Sequence, residues 1–383
     1  MSKELTLNSI SNNGTSMSNK KRLTYLDVAK FIGIFLVAYC HIKEVGEDIP
    51  FIYSFHLALF FIISGMTLRI DENENYGSFL TRKLKSYIIP LICMDFLIIL
   101  IFICFAFKEG YGNTITWKWF MDQFVLGINQ KRYFSLWFVP ALFISVNLCY
   151  FFFKASKGKI WIACILASIQ LTFAIVFNFY TPQWLIWNID VAMFGSFWVF
   201  IGWLFSQCKK VSDFFLSKRL ISLAWAVVFL GAGLALAYLN WNFFHLHLEA
   251  WGGQFQKYYL VIPSSILSSF GIIFLSRAID NKVMSTLGQM TLVILATQQD
   301  LSQRLWKDYI LKDFYRSLGQ YSPDSIQRFG YAFGGALFAI LIGVALYYLI
   351  KYSPFAFAIG KKIPDFYHKF LSLFHKKDKK TKA

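Results

Sequence analysis

The first apolar stretch, KRLTYLDVAKFIGIFLVAYCH (residues 21–41), sets Asp27, Lys30 and His41 among aliphatic and aromatic side chains. On an α-helix Lys30 and His41 differ by only about 20° around the axis, and Asp27 lies about 60° from Lys30 and about 40° from His41. The three share one stripe, with Lys30 and His41 about 16 Å apart along the axis. One face thus offers a cationic group towards one end and an imidazole, able to act as a general acid or base, towards the other. The same spacing equally suits an i,i+3 Asp27–Lys30 pair near the head groups, with His41 at the far interface.

His56 follows in FIYSFHLALFFIISGM, close to the start of the second apolar stretch and at a depth similar to His41. Taken singly, either histidine could be a neutral ring bonded to a backbone carbonyl. Further on, SFLTRKLKSYIIP carries Arg82, Lys83 and Lys85 just ahead of a third apolar helix, with Arg82 and Lys85 on one face. Such a cluster suits phosphate groups, and it also suits topological anchoring. Asp190 and Asp95 are two more acids in apolar surroundings, suited to orienting a histidine or to hydrogen-bonding between helices. The segment HLHLE (His245, His247, Glu249) has only a weak metal-like pattern, and no metal is expected. The six cysteines form no CxxC pair.

These residues need elements that cross a membrane. The chain has 383 residues, of which 57% are hydrophobic and 15% charged. An ordinary soluble domain carries about 25% charged residues. A water-soluble monomer of this size cannot hide that much apolar surface. The composition excludes a soluble globular enzyme, a disordered scaffold and a disulfide-knotted domain. An all-α polytopic membrane protein is expected, with about ten spans near 23–41, 51–69, 86–107, 136–153, 160–180, 188–206, 220–240, 258–275, 287–300 and 331–350. The ninth is the shortest. Residues 1–19 read as a disordered polar tail, 20–350 as the membrane domain and 351–383 as a basic cytoplasmic tail suited to anionic lipid.

The net charge is +17. With both termini in the cytoplasm and ten alternating spans, the inner segments hold 26 of the 38 Lys and Arg, and the outer ones 11. That asymmetry follows the positive-inside rule and accounts for the basic balance without nucleic acid. The expected partner of the surface is the lipid bilayer of the cell membrane.

Several segments in order resemble one family, the acyltransferase-3 superfamily of integral membrane acyltransferases, in particular its fucose 4-O-acetylase-like branch. LDVAKFIGIFLVAYCH resembles its basic residue, ten spacers and a histidine. FHLALFFIISG resembles the second-span motif with His56, Ser64 and Gly65, and FLTRKLKSYIIP the basic motif before the third span. LWFVPALF and IDVAMFGSFWVFIG resemble later segments with Trp137 and Asp190. In the ninth span, LGQMTLVILATQQDL has Gln298 and Gln299 where many members carry a histidine.

The resemblance implies acetyl-CoA as cytoplasmic co-substrate and a carbohydrate hydroxyl as acceptor, with glycan-assembly proteins as candidate partners. It implies phosphate binding by Arg82, Lys83 and Lys85, and passage of the donor past Lys30. His41 would serve as base or acyl carrier, and His56 as second base or positioning group. Asp190 would hold a histidine tautomer, while Trp137 and Asp27 would line the substrate path. The rival expectation is a sugar or lipid transporter, since intramembrane charges also mark substrate paths.

Overall fold

The computed structural model describes residues 22–42, 50–110, 112–119, 121, 136–180, 185–244, 258–310 and 325–362. Among them every regular element is helical. The principal helices are α1 (Thr24–Cys40), α2 (His56–Met66), α3 (Tyr76–Lys83), α4 (Ile89–Lys108), α5 (Phe138–Ala155), α6 (Ile160–Tyr180) and α7 (Ile189–Gln207). They continue with α8 (Lys209–Leu216), α9 (Arg219–Phe244), α10 (Tyr258–Ile279), α11 (Lys282–Gly288), α12 (Thr291–Thr297) and α13 (Ser325–Lys351).

Seven helical stretches among the described residues are long and apolar enough to cross a membrane: Tyr76–Lys108, Phe138–Ala155, Ile160–Phe177, Ile186–Gln207, Arg219–Asn240, Tyr259–Ile279 and Phe329–Lys351. The chain is a multi-pass membrane protein. Three of the ten expected spans are shorter or broken among the described residues. The first is the 17-residue α1, which contains Asp27 and Lys30. The second splits into a one-turn helix, Pro50–Tyr53, and α2. The ninth is interrupted at Gln289–Met290 and then passes into a π-helical turn, Gln298–Gln303. The third starts earlier than expected, because Asn75 caps α3 by accepting the Ser78 N–H at 2.8 Å. Pro90 removes a backbone donor and crowds the preceding turn. The chain there forms a π-helical turn, Leu84–Ile88, between α3 and α4.

Helices α1, α2 and α7 form the centre, and glycines set how closely they pack. A Cβ on Gly65 would lie 1.9 Å from the Val199 carbonyl oxygen, and one on Gly202 would lie 2.0 Å from that of Ile62. Backbone therefore meets backbone across α2 and α7, as small residues permit between membrane helices. Gly33 of α1 instead makes room for a side chain, 2.9 Å from Phe60 Cζ, and Gly288 places the backbone of α11 against the Asp27 carbonyl. Gly65→Ala should destabilise the bundle by about 1–3 kcal/mol through overpacking, with Gly231→Ala, where an added Cβ meets nothing within 4 Å, nearly neutral. Thermal unfolding in detergent micelles checks this; equal stability of the two variants would contradict it.

Past α13, residues Pro354–Ile359 form a 3₁₀ turn that buries Ala356 and Ala358 against the bundle. The expected tail therefore begins as a docked segment. Its remainder, the 1–19 tail and the HLHLE segment lie outside the described residues.

Candidate functional site

His41 is the residue that ends α1, and His56 is the first residue of α2. The helices run antiparallel, with Gly33 facing Phe60. Four residues on from Gly33 is Val37, and four back from Phe60 is His56, so Val37 and His56 are level. The His41 ring folds back so that its Nδ1 lies 2.9 Å from the Val37 carbonyl oxygen. That brings it to the level of His56, and the two rings are close enough to act on each other electrostatically. His56 is 2% exposed, and its Nδ1 lies 2.8 Å from the Ile52 carbonyl oxygen. A carbonyl oxygen only accepts, so Nδ1 carries the proton in both neutral rings. Each Nε2 is then a lone-pair acceptor, the form a general base requires.

Tyr53 was not singled out by its sequence context, yet it ties the two rings together. Its hydroxyl donates to the Cys40 carbonyl at 2.9 Å, beside His41. Its ring meets the His56 imidazole edge-on, with centroids 5.3 Å apart at 80°. Tyr53→Phe keeps the ring contact and loses the hydroxyl bond. It should lower acyl transfer about three- to tenfold, the worth of one hydrogen bond, without lowering protein yield. Turnover of purified Tyr53→Phe checks this, and unchanged turnover would remove Tyr53 from the site.

Asp190 lies at the start of α7 and Trp137 just before α5, linked through Asn188. Asp190 is buried and accepts the Leu185 N–H at 3.4 Å. It closes a turn in which Trp187 and Asn188 both adopt positive φ, 56° and 52°. That conformation is unfavourable for a tryptophan and persists only where the surroundings enforce it. Asn188 Nδ2 donates to the Trp137 carbonyl at 3.4 Å. Helices α2 and α7 run parallel, with Phe61 against Gly195. Five residues back along each are His56 and Asp190, so the acid is level with the histidines. The groups that fix the histidine tautomers are nevertheless backbone carbonyls.

At the other end of α1 the Asp27 carboxylate is buried between two cations. Arg22 Nε lies 2.5 Å from its Oδ2, and Lys30 Nζ lies 3.2 Å from its Oδ1. The i,i+3 pairing therefore forms, with Arg22 as a third member that sequence reasoning missed. The Lys30 side chain keeps 30% of its surface exposed.

The basic cluster divides. Arg82 and Lys85 line an open cleft of about 840 Å³ with Asn75, Ser78, Thr81 and Ser86. This cleft follows the Met66 end of α2, away from His56. Arg82 donates to Glu74 at 2.7 Å and to the Arg69 carbonyl at 3.2 Å. Tyr150 and Lys154 of α5 bond the carbonyls of Glu74 and Asp71, so the 71–74 turn is fixed. Lys83 instead turns inward, 9% exposed, with Nζ over the rings of Phe79 and Tyr87 at 5.3 and 5.8 Å. The Thr81 and Ser86 hydroxyls donate to the Gly77 and Arg82 carbonyls, so the donors left for phosphate oxygens are the two cations and the Ser78 hydroxyl.

Two chemically distinct features thus stand at opposite ends of α2: a basic cleft at one and paired lone-pair imidazoles at the other. No curated protein and no solved structure matches the chain. A family model described as an acyltransferase domain matches residues 23–348, all but the two ends. The span covered includes both features, and the chain belongs to this family, the acyltransferase-3 family.

Proposed function

We propose that this protein is a membrane O-acetyltransferase of the fucose 4-O-acetylase-like branch. It moves an acetyl group from cytoplasmic acetyl-CoA to a hydroxyl of a cell-surface or exported carbohydrate. In this reading the chain crosses the cell membrane ten times with both termini inside. The interrupted second and ninth segments and the 17-residue first helix count as spans. The Lys and Arg distribution supports this orientation. Family membership favours transfer over transport.

The single observation that carries the reading is the freed Nε2 of His41, level with His56 and distant from the Arg82–Lys85 cleft. Arg82 and Lys85 would grip the CoA phosphates, and Lys30 would line the way of the pantetheine arm. His41 Nε2 takes the proton of the acceptor hydroxyl as its oxygen bonds to the thioester carbonyl carbon. The C–S bond breaks, and the imidazolium returns the proton to the leaving thiolate. His56 is the second base or the positioning group. Asp190 and Trp137 border the acceptor side, and glycan-assembly proteins would deliver or remove the acceptor.

Sealed vesicles of known orientation test the reading. Labelled acetyl-CoA on the cytoplasmic face should acetylate a surface-glycan acceptor supplied only on the other face. Label appearing only when both share the cytoplasmic face would overturn the cross-membrane route. No label on carbohydrate in any arrangement would overturn the acceptor class.

A further inference from the structure

The late interrupted helix carries a row of polar atoms that the reaction above does not use. Gln298 is fully buried, and among the described residues both its amide oxygen and its amide nitrogen lack a hydrogen-bond partner. The same holds for Gln303 Nε2 and Trp306 Nε1. Gln298 and Gln303 are five apart in the π-helical turn Gln298–Gln303, so they stack along its i→i+5 ladder. Trp306 is three further on, on the same side. Buried amides without partners are costly, and π-helical turns occur mostly where they serve a function.

The row lies at the histidine end of α1. Gly288, where the interrupted segment begins, abuts Asp27, and Trp306 lies where α1 ends. A Cβ on Gly335 of α13 would lie 2.4 Å from Ile42 Cδ1 and 3.0 Å from Trp306 Nε1. The indole N–H is thus packed beside the residue that follows His41. Trp306 also stands 6.0 Å from the Tyr331 ring, and both belong to the cluster formed with Tyr39 and Cys40.

The buried seam along α9 and α10 is mostly paired: Ser264 donates to the Gly233 carbonyl at 3.0 Å and Ser265 accepts the Trp198 indole N–H at 2.9 Å, while Ser268 and Asn240 lack partners among the described residues. That seam holds helices together.

We propose that Gln298, Gln303 and Trp306 form a subsite for the hydroxyl groups of a pyranose acceptor beside His41; this rests on the acyl-transfer reading above. An amide offers donors and an acceptor, which suits the paired donor and acceptor character of neighbouring hydroxyls. The indole adds a flat apolar face with a polar edge, which suits the mixed surface of a sugar ring.

The test uses the full chain in detergent micelles, with Gln298→Leu and Trp306→Phe. The probes are methyl α-D-glucopyranoside, -galactopyranoside and -mannopyranoside, with labelled acetyl-CoA. Each variant should raise the half-saturating concentration of the preferred glycoside at least tenfold, with the acetyl-CoA requirement moving less than twofold. Equal rises for both substrates, or none, would overturn the subsite. Without substrate, Gln298→Leu should melt at or above the wild-type temperature, because an unpaired amide is removed. A drop of several degrees would mean a structural partner such as a buried water, and would overturn the proposal. If the wild type transfers no label to any glycoside, the acceptor reading fails separately. The subsite is then decided by melting alone: a glycoside-induced upshift lost in both variants supports it, and no upshift overturns it.

Discussion

His41→Ala should abolish acyl transfer while leaving expression and membrane insertion intact. The expected loss in turnover is about 10²–10⁴-fold, the range associated with a positioned general acid–base group. The structural cost is small. His41 follows the last residue of α1, is half-buried, and spends its only described side-chain hydrogen bond on the Val37 carbonyl. His41→Gln offers a sharper comparison, since an amide can still reach that carbonyl but has no basic nitrogen. Both variants should be equally inactive. Activity in His41→Gln near that of the wild type would mean His41 acts by position and the base lies elsewhere, with His56 next in line. A labelled acetyl group retained on wild-type protein, and absent from His41→Gln, would favour the covalent route over direct transfer.

Removing the charges of Arg82 and Lys85 together should raise the acetyl-CoA requirement about 10²-fold or more. Hydrogen bonds to charged groups contribute about 1.5–3 kcal/mol each, which is roughly ten- to a hundredfold per residue. The acceptor requirement should stay within about twofold, because the cleft lies at the far end of α2. Arg82→Lys separates two roles within one residue. Lysine keeps the charge but cannot serve both the Glu74 carboxylate and the Arg69 carbonyl as the guanidinium does. A loss there as large as in Arg82→Gln would assign the effect to the 69–74 turn and not to donor binding. Lys83→Gln should behave differently from both, since Lys83 lies against Phe79 and Tyr87. Its expected effect is on stability first. Titration of both substrates against each purified variant checks the set, and equal effects on donor and acceptor would favour topological anchoring.

Much of this arrangement is legible in the sequence because helical periodicity is rigid. The 11-residue step from Lys30 to His41 puts both on one face whatever surrounds them, and the apolar runs announce most of the bundle. Depth was legible for the same reason, since two histidines near facing helix ends must be level. Backbone interruptions were not. The π-helical turns at Leu84–Ile88 and Gln298–Gln303 carry no motif of their own in the sequence, with Pro90 the only local sign of the first. Partners beyond one helix were equally hidden. Arg22 reads as an ordinary flanking charge until Asp27 is seen buried beside it. Lys83 shares a motif with Arg82 and Lys85, and only the fold of α3 onto α5 shows that it faces inward. Tyr53 gives no signal of its own, because a tyrosine near a membrane interface is ordinary.

The glycine contacts between α2 and α7, and between α11 and α1, have a mechanical consequence. Where backbone rests on backbone, the spacing of two helices is fixed by peptide geometry and cannot be adjusted by rotamer changes. The window of α7 that could cross the membrane is 72% buried, whereas those of α6 and α9 are 17% and 22% buried. The outer helices therefore meet the lipid, and the inner three hold the imidazoles. A bilayer that thins, thickens or changes its acyl chains acts first on the tilt of α6 and α9, where mismatch is cheap to absorb. The spacing of His56 on α2 from Asp190 on α7 is insulated from it. Turnover should then vary little between lipids of different chain length in the native chain. In a Gly202→Ala background, where the inner contact is forced apart, it should become sensitive to lipid thickness.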